Sequence, residues 1–165
     1  MKLVILATGI PGSGKTTALS ALRDRYQMGY VSRDDIREAW FGNPHLQIFK
    51  KEVRGKAEAL MWEALASDQP VLLDSTFANR GKRRRAIAVA RTAGATRVIG
   101  IVFTTPLEKA KERNRNRVHS VKEWVIDMMH HELTAEPPSL RDGFDALYTS
   151  DQLDELERDE LAGRL

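Results

Sequence analysis

Residues 2–26 read KLVILATGIPGSGKTTALSALRDRY, and their order decides the fold. The apolar run Leu3 to Ala7 gives way at once to the glycine-rich Gly9 to Thr17, and Lys15 opens a stretch free of glycine and proline as far as Tyr26. A short continuous Val/Ile/Leu run reads as a strand buried on both faces, and the stretch after it as a helix. The loop between them fits Gly9-x-x-x-x-Gly14-Lys15-Thr16 in full. Such a loop curls so that successive N–H groups point inward at phosphate oxygens, with the partial positive charge of the helix N-terminus behind them. Lys15 is then expected to reach the β- and γ-phosphates of a nucleoside triphosphate, and the Thr16 hydroxyl to ligate Mg²⁺. Gly9, Pro11, Gly12, Ser13, Gly14, Lys15, Thr16 and Thr17 form the expected nucleotide cradle.

Further strands are expected at Tyr30–Ser32, Val71–Leu73, Val98–Phe103 and Ala146–Thr149, and helices at about Pro44–Ser67 and at Arg80–Ala93, the latter closed by Gly94. Pro137 and Pro138 end the helix before them. Alternating strands and helices predict an α/β sandwich with right-handed crossovers, whose ligands sit beyond the carboxyl ends of the strands. The segments Gly9–Thr17, Arg33–Arg37 and Asp74–Thr76 all follow strands and should meet there. The acidic end, SDQLDELERDELAGRL (150–165), carries Leu153, Leu156 and Leu161 at roughly helical spacing and reads as a helix packed on the domain. The expected division is residues 1–150 as one domain and 151–165 as an acidic helix or tail.

In SRDDIR (32–37), Asp34 or Asp35 can take the proton of an alcohol that attacks a γ-phosphate, the other capping the helix. Arg37, one turn from Asp34, can bind an anionic part of the acceptor. In VLLDSTFANRGKRR (71–84), Asp74 ends a buried strand, where a carboxylate acts on magnesium through Thr16 or a metal-bound water. In KERNRNRVH (111–119), Arg113 and Arg117 lie four apart and are expected on one helix face of a closing lid, near residues 113–120, where they would neutralise charge on the moving phosphoryl group. Arg115 points elsewhere. Trp40, Trp62 and Trp124 are expected as core or helix-packing anchors, with Trp40 and Phe41 also placed to line an acceptor pocket.

The chain has 165 residues, 42% of them hydrophobic, and a formal charge of +3, with basic residues bunched in RGKRRR (80–85) and KAKERNRNR (109–117). Such clusters suit a phosphate-rich substrate or serve as solvated helix faces. It has no cysteine, which excludes disulfides, thiolate metal sites and a cysteine nucleophile. No window is long and apolar enough for a membrane span and no signal peptide is evident, so a cytoplasmic location without membrane association is expected. The four histidines show no metal-ligand spacing.

GIPGSGKTT, SRDDIR, DSTFANRGKRR and RNRNR, in that order over about Lys2 to Tyr148, resemble the kinase domain of the phage-type 5′-hydroxyl polynucleotide kinases, within the adenylate-kinase-like P-loop kinases. The resemblance implies a three-layer sandwich with a parallel sheet of four to five strands in the order 2-3-1-4-5, helices on both faces and a small lid. It implies Asp34 as the general base, Arg37 on the acceptor phosphate, Arg117 as the lid arginine on the β- and γ-phosphates with Arg113 beside it, and Thr76 and Asn79 on the acceptor side. ATP or another nucleoside triphosphate with Mg²⁺ is the implied donor. DNA or RNA 5′-hydroxyl ends are the implied acceptor, in end repair before ligation, in the cytoplasm of a host cell if the chain is phage-encoded; a homo-oligomer is permitted. Here Asp74 is separated from Thr76 by Ser75, whereas the phage pattern has the two adjacent; D-x-T is similar to the form in bacterial P-loop kinases of uncertain substrate, and a kinase of a small alcohol, such as an antibiotic, sugar or toxin-like sugar-nucleotide kinase, is the alternative reading. No Asp-x-Asp phosphatase motif occurs, so no 3′-phosphatase activity is expected. A hydrolysing switch is the remaining reading, and neither D-x-x-G after a candidate strand nor N-K-x-D supports it.

Overall fold

A computed structural model of the chain describes residues 1–164; Leu165, the last residue of the expected tail, lies outside the described residues. Five parallel strands form one sheet in the order β2-β3-β1-β4-β5, with β1 at Leu3–Thr8, β2 at Gly29–Ser32, β3 at Val71–Asp74, β4 at Arg97–Val102 and β5 at Ala146–Thr149. This is the P-loop kinase fold, with the strand order expected.

The central strand shows why the apolar run of β1 is unbroken. Val4 and Leu6 enter a core with Ile36, Val53, Leu65 and Ile87, whereas Leu3, Ile5 and Ala7 enter one with Leu19, Leu22, Ile99 and Leu156. Side chains alternate across the pleat, so a strand covered on both faces needs an apolar residue at every position. The first face is covered by α2 (Arg33–Phe41), α3 (Lys50–Ala66) and α4 (Arg80–Thr92), the second by α1 (Lys15–Tyr26) and the C-terminal segment. Register then fixes the site: Asp74 lies level with Ser32 on one side and Ala7 on the other, so the segments after β1, β2 and β3 leave the sheet at one height.

The sequence reading placed a helix over about Pro44–Ser67, but α3 starts only at Lys50. Asn43 accepts a hydrogen bond from the His45 N–H through its side chain, a local turn that competes with helix. Phe49 then takes a left-handed conformation, φ 48°, with its ring stacked on Phe41 at a centroid distance of 6.0 Å. The three tryptophans are not core anchors. Trp40, Trp62 and Trp124 are 45%, 47% and 63% exposed, because α2, α3 and the helix that carries Trp124 bury their opposite faces.

The segment expected as a lid, near residues 113–120, is the end of α5 (Leu107–Arg115) and an exposed loop that leads to α6 (Glu123–Ala135), which ends just before Glu136-Pro137-Pro138. The two helices have a small core of their own, in which Ile126 and Ala110 pack on Ile10 of the phosphate loop. The tail forms a short helix α7 (Leu153–Leu156) continued by a π turn over Glu157–Leu161. The wider i→i+5 winding brings Leu156 and Leu161, five apart, to the same buried side. Glu160 fixes this segment by accepting two hydrogen bonds from Arg97, both 2.6 Å, and one from the Tyr148 hydroxyl at 2.9 Å. Among the described residues no helix is long and apolar enough to cross a membrane.

Candidate active site

The phosphate loop closes through contacts that only glycine permits at two points. Gly12 has φ +82° and a Cβ there would overlap the Ala110 carbonyl of α5; Gly14, φ +90°, is the N-cap of α1 and offers no side chain to its first N–H groups. Those donors stay free for a ligand, as an anion site at a helix N-terminus requires. Ser13 is buried, and its hydroxyl has no hydrogen-bond partner among the described residues; its carbonyl accepts from the Thr105 hydroxyl at 2.7 Å. Pro11 is half-buried, and Thr16 and Thr17 are exposed on the first turn of α1.

The Lys15 ammonium donates to the Gly9 carbonyl and, at 3.4 Å, to that of Ile10. Burial pushes its pKa below the ordinary lysine value, Asp74 and Asp34 pull it back up, and Arg117 adds a push down. Asp34, Asp74 and Arg117, from three separate motifs, thus act electrostatically on the ammonium group of the phosphate loop.

On the acceptor side Ser32, not an aspartate, caps α2 by accepting from the Asp35 N–H at 3.2 Å. Both aspartates occupy the first turn, where negative charge suits the helix dipole. Asp34 Oδ1 accepts from Arg37 Nη1 at 2.9 Å, while Arg37 itself is 9% exposed. His45 Nδ1 lies 4.0 Å from the other Asp34 oxygen, and its Nε2 meets the His119 carbonyl of the lid loop at 2.7 Å. Asp35 faces differently: burial raises its pKa, and Asp74, Asp34 and Glu38 raise it further.

Asp74 has a partner that sequence reasoning missed. The Tyr30 hydroxyl, from β2, donates to Asp74 Oδ2 and lies beside the Thr16 hydroxyl. Burial and the Asp74 carboxylate drive its pKa far above the ordinary tyrosine value, so it remains a donor. Hydroxyl and carboxylate oxygens at this spot are the hard donors magnesium prefers, so the residues present fit that ion.

Over the loop, Arg113 Nη1 approaches the Gly12 carbonyl at 3.5 Å. Arg117 is not on the same helix face as expected: α5 stops at Arg115, and Arg117 sits in the turn that follows, its N–H on the Asn114 carbonyl. Arg115 is spent on Glu123 at 2.5 Å and Lys111 on Asp127 at 2.6 Å, both pairs tying α5 to α6. Thr76 donates towards Met129 of α6 at 3.7 Å. Asn79 uses its side-chain oxygen to cap α4, accepting from the Lys82 N–H at 2.9 Å, which leaves its NH₂ for other contacts.

Fold and cleft together define a nucleotide-binding domain of the P-loop kinase type. Residues 4–136 match the family model described as AAA domain (AAA_33), and the chain belongs to that family. No curated protein sequence matches it. Among solved structures, it is similar to a chain of the Pnkp1/Rnl/Hen1 RNA repair complex (21% identity, TM-score 0.70), with 87% of this chain and 46% of that one covered. It thus spans about half the length of that chain. Kti12 from Chaetomium thermophilum, in complex with ADP-AlF3, aligns over 98% of this chain and 99% of its own at 19% identity and TM-score 0.70. Shikimate kinase from Acinetobacter baumannii, in complex with shikimate, aligns over 100% and 96% at 19% identity and TM-score 0.60. At these identities the likeness is one of fold.

Proposed function

We propose that the protein is a polynucleotide 5′-hydroxyl kinase, moving the γ-phosphate of ATP or another nucleoside triphosphate to the 5′ end of DNA or RNA, so that the end can be joined. The observation that carries the reading is the Asp34–Arg37 pair at 2.9 Å, at the carboxyl end of β2 and within electrostatic reach of Lys15. In a P-loop hydrolase that uses water, a buried arginine fixed to an acceptor-side carboxylate has no evident task.

In this reading Asp34 accepts the proton of the attacking hydroxyl as the new O–P bond forms and the bond from the γ-phosphorus to the bridging oxygen breaks, releasing the nucleoside diphosphate. Arg37 holds Asp34 and takes the acceptor phosphate next to that hydroxyl. Lys15, Arg113 and Arg117 neutralise the charge spread over the transferred oxygens. Thr16 and, through water, Asp74 would hold magnesium, which would supply neutralisation of phosphate charge. Thr76 and Asn79 line the acceptor side.

The test incubates the protein with γ-labelled ATP, Mg²⁺ and a 5′-hydroxyl oligonucleotide. Label on the 5′ end is expected. Asp34→Ala should lower transfer by about 10²- to 10⁴-fold with ATP binding retained, whereas Lys15→Ala should weaken the nucleotide side. A second reading, a kinase of a small alcohol, has the support of the fold shared with shikimate kinase. Robust transfer to a small alcohol with none to nucleic-acid ends would establish it and remove the first.

A further inference from the structure

Several arginines of this chain are tied closely to carboxylates, and others are not. Arg83, Arg91, Arg97 and Arg115 each meet a carboxylate at 2.5–2.8 Å. Arg33 and Arg54 have no carboxylate within 4 Å among the described residues, and Arg37 keeps its buried Nε without a hydrogen-bond partner while Nη1 is spent on Asp34. Arg33 opens α2 one turn ahead of Arg37, and α3, which packs against α2, carries half-buried Arg54 one turn before Glu58. One turn along α3, Glu58 pairs at 3.1 Å with Arg85 from α4, which brings a fourth guanidinium to the edge of the group.

Of these four guanidiniums, Arg37 is paired with Asp34 and Arg85 with Glu58. Burial pushes the Arg33 pKa down, and Arg37, Arg54 and Arg85 push it further while Glu58 opposes. Clustered like charge of this kind costs free energy in the folded chain unless an anion completes it. The planar fork of arginine matches phosphate oxygens in particular.

We infer that Arg33, Arg54 and Arg85 form a second anion subsite beside Arg37, which takes the next internucleotide phosphate of the acceptor. The inference rests on the nucleic-acid reading and sharpens it: Arg37 is occupied by the phosphate nearest the reacting hydroxyl, so a further cationic site has a use only for an acceptor that carries a second phosphate along the same strand. A small alcohol offers none.

Steady-state kinetics with two acceptors test this, adenosine 3′-monophosphate with one phosphate and the adenosine dinucleotide bearing a 3′-phosphate with two. The wild-type KM is expected to be lower for the dinucleotide by at least about tenfold, as charged hydrogen bonds to a phosphate imply. Arg54→Gln should erase most of that difference by raising the dinucleotide KM, and Arg54→Lys, which keeps the charge, should restore part of it. Equal KM values for the two acceptors in the wild type, or a difference that Arg54→Gln leaves intact, would overturn the subsite while leaving a polynucleotide kinase standing. Absence of transfer to either acceptor or to a longer oligonucleotide would remove both.

Discussion

Tyr30 shows how much of the site depends on residues that do no chemistry themselves. Its hydroxyl holds one Asp74 oxygen in place beside Thr16, and an outer partner of a metal-orienting carboxylate is worth roughly ten- to a hundredfold in metal affinity. Tyr30→Phe is expected to raise the Mg²⁺ concentration for half-maximal transfer about tenfold, at the lower end of that range, with little change in the fold; an unchanged Mg²⁺ titration would show that Asp74 needs no such support. At the same scale, neighbouring Asp34 and Asp35 separate because consecutive helical side chains diverge by roughly 100°. Arg37, three residues after Asp34, meets that side chain, while Asp35 faces the like charge of Asp74. The spacing within SRDDIR contains the first of these facts. The second, like the Tyr30 contact, depends on a strand 39 or more positions away and has no local signal.

Among the elements, the loop between α5 and α6 is closed by one side chain. Asn114, 1% exposed, donates to the Val121 carbonyl at 2.7 Å and accepts from the Val121 N–H at 2.8 Å, closing the loop that carries Arg117. Asn114→Ala leaves both backbone groups of Val121 without that partner. It should lower stability by about 1–3 kcal/mol and cut kcat more than the ATP KM, measured by urea unfolding and steady-state kinetics. In the sequence this residue sits inside RNRNR, where it reads as filler between arginines. The basic run 80–85 hides a similar case. Arg83 is fully buried, donating to Asp142 at 2.6 Å and to the carbonyls of Phe77 and Glu136, so it is neither a solvated face nor a substrate contact. Arg83→Met takes the closest cation from buried Asp142, leaving it Arg80 and the Ser139 N–H, and should cost about 3 kcal/mol, the low end for a broken buried pair. The strands, the phosphate loop and the proline stop after α6 were legible because each has its signal within a few residues. The late start of α3 was not, since it turns on Phe49 finding Phe41.

For the molecule as a whole, three carboxylates decide the response to acid. Burial pushes Asp142 up, but hydrogen bonds from Arg83, the Ser139 N–H and Arg80 outweigh it and hold its pKa below the ordinary value. In Asp145 burial is likewise outweighed, by the Val98 N–H and Arg91; in Glu160 the Arg97 hydrogen bonds dominate burial and lower the pKa. All three are depressed in the folded state. Their contribution to stability is complete above the ordinary carboxylate pKa of about 4 and is lost as pH falls from there through the depressed folded values. Urea midpoints followed by tryptophan fluorescence should hold from pH 7 to about 5 and drop below about 4, and Glu160→Gln should flatten part of that drop.

The segment after α7 returns to the amino end of the central strand. Arg164 Nη2 donates to the Met1 carbonyl at 2.9 Å, just ahead of the amino end of β1, whereas the catalytic loops leave the carboxyl ends. A domain or affinity handle joined ahead of Met1 would emerge behind the sheet, at the end of β1 opposite to the phosphate loop.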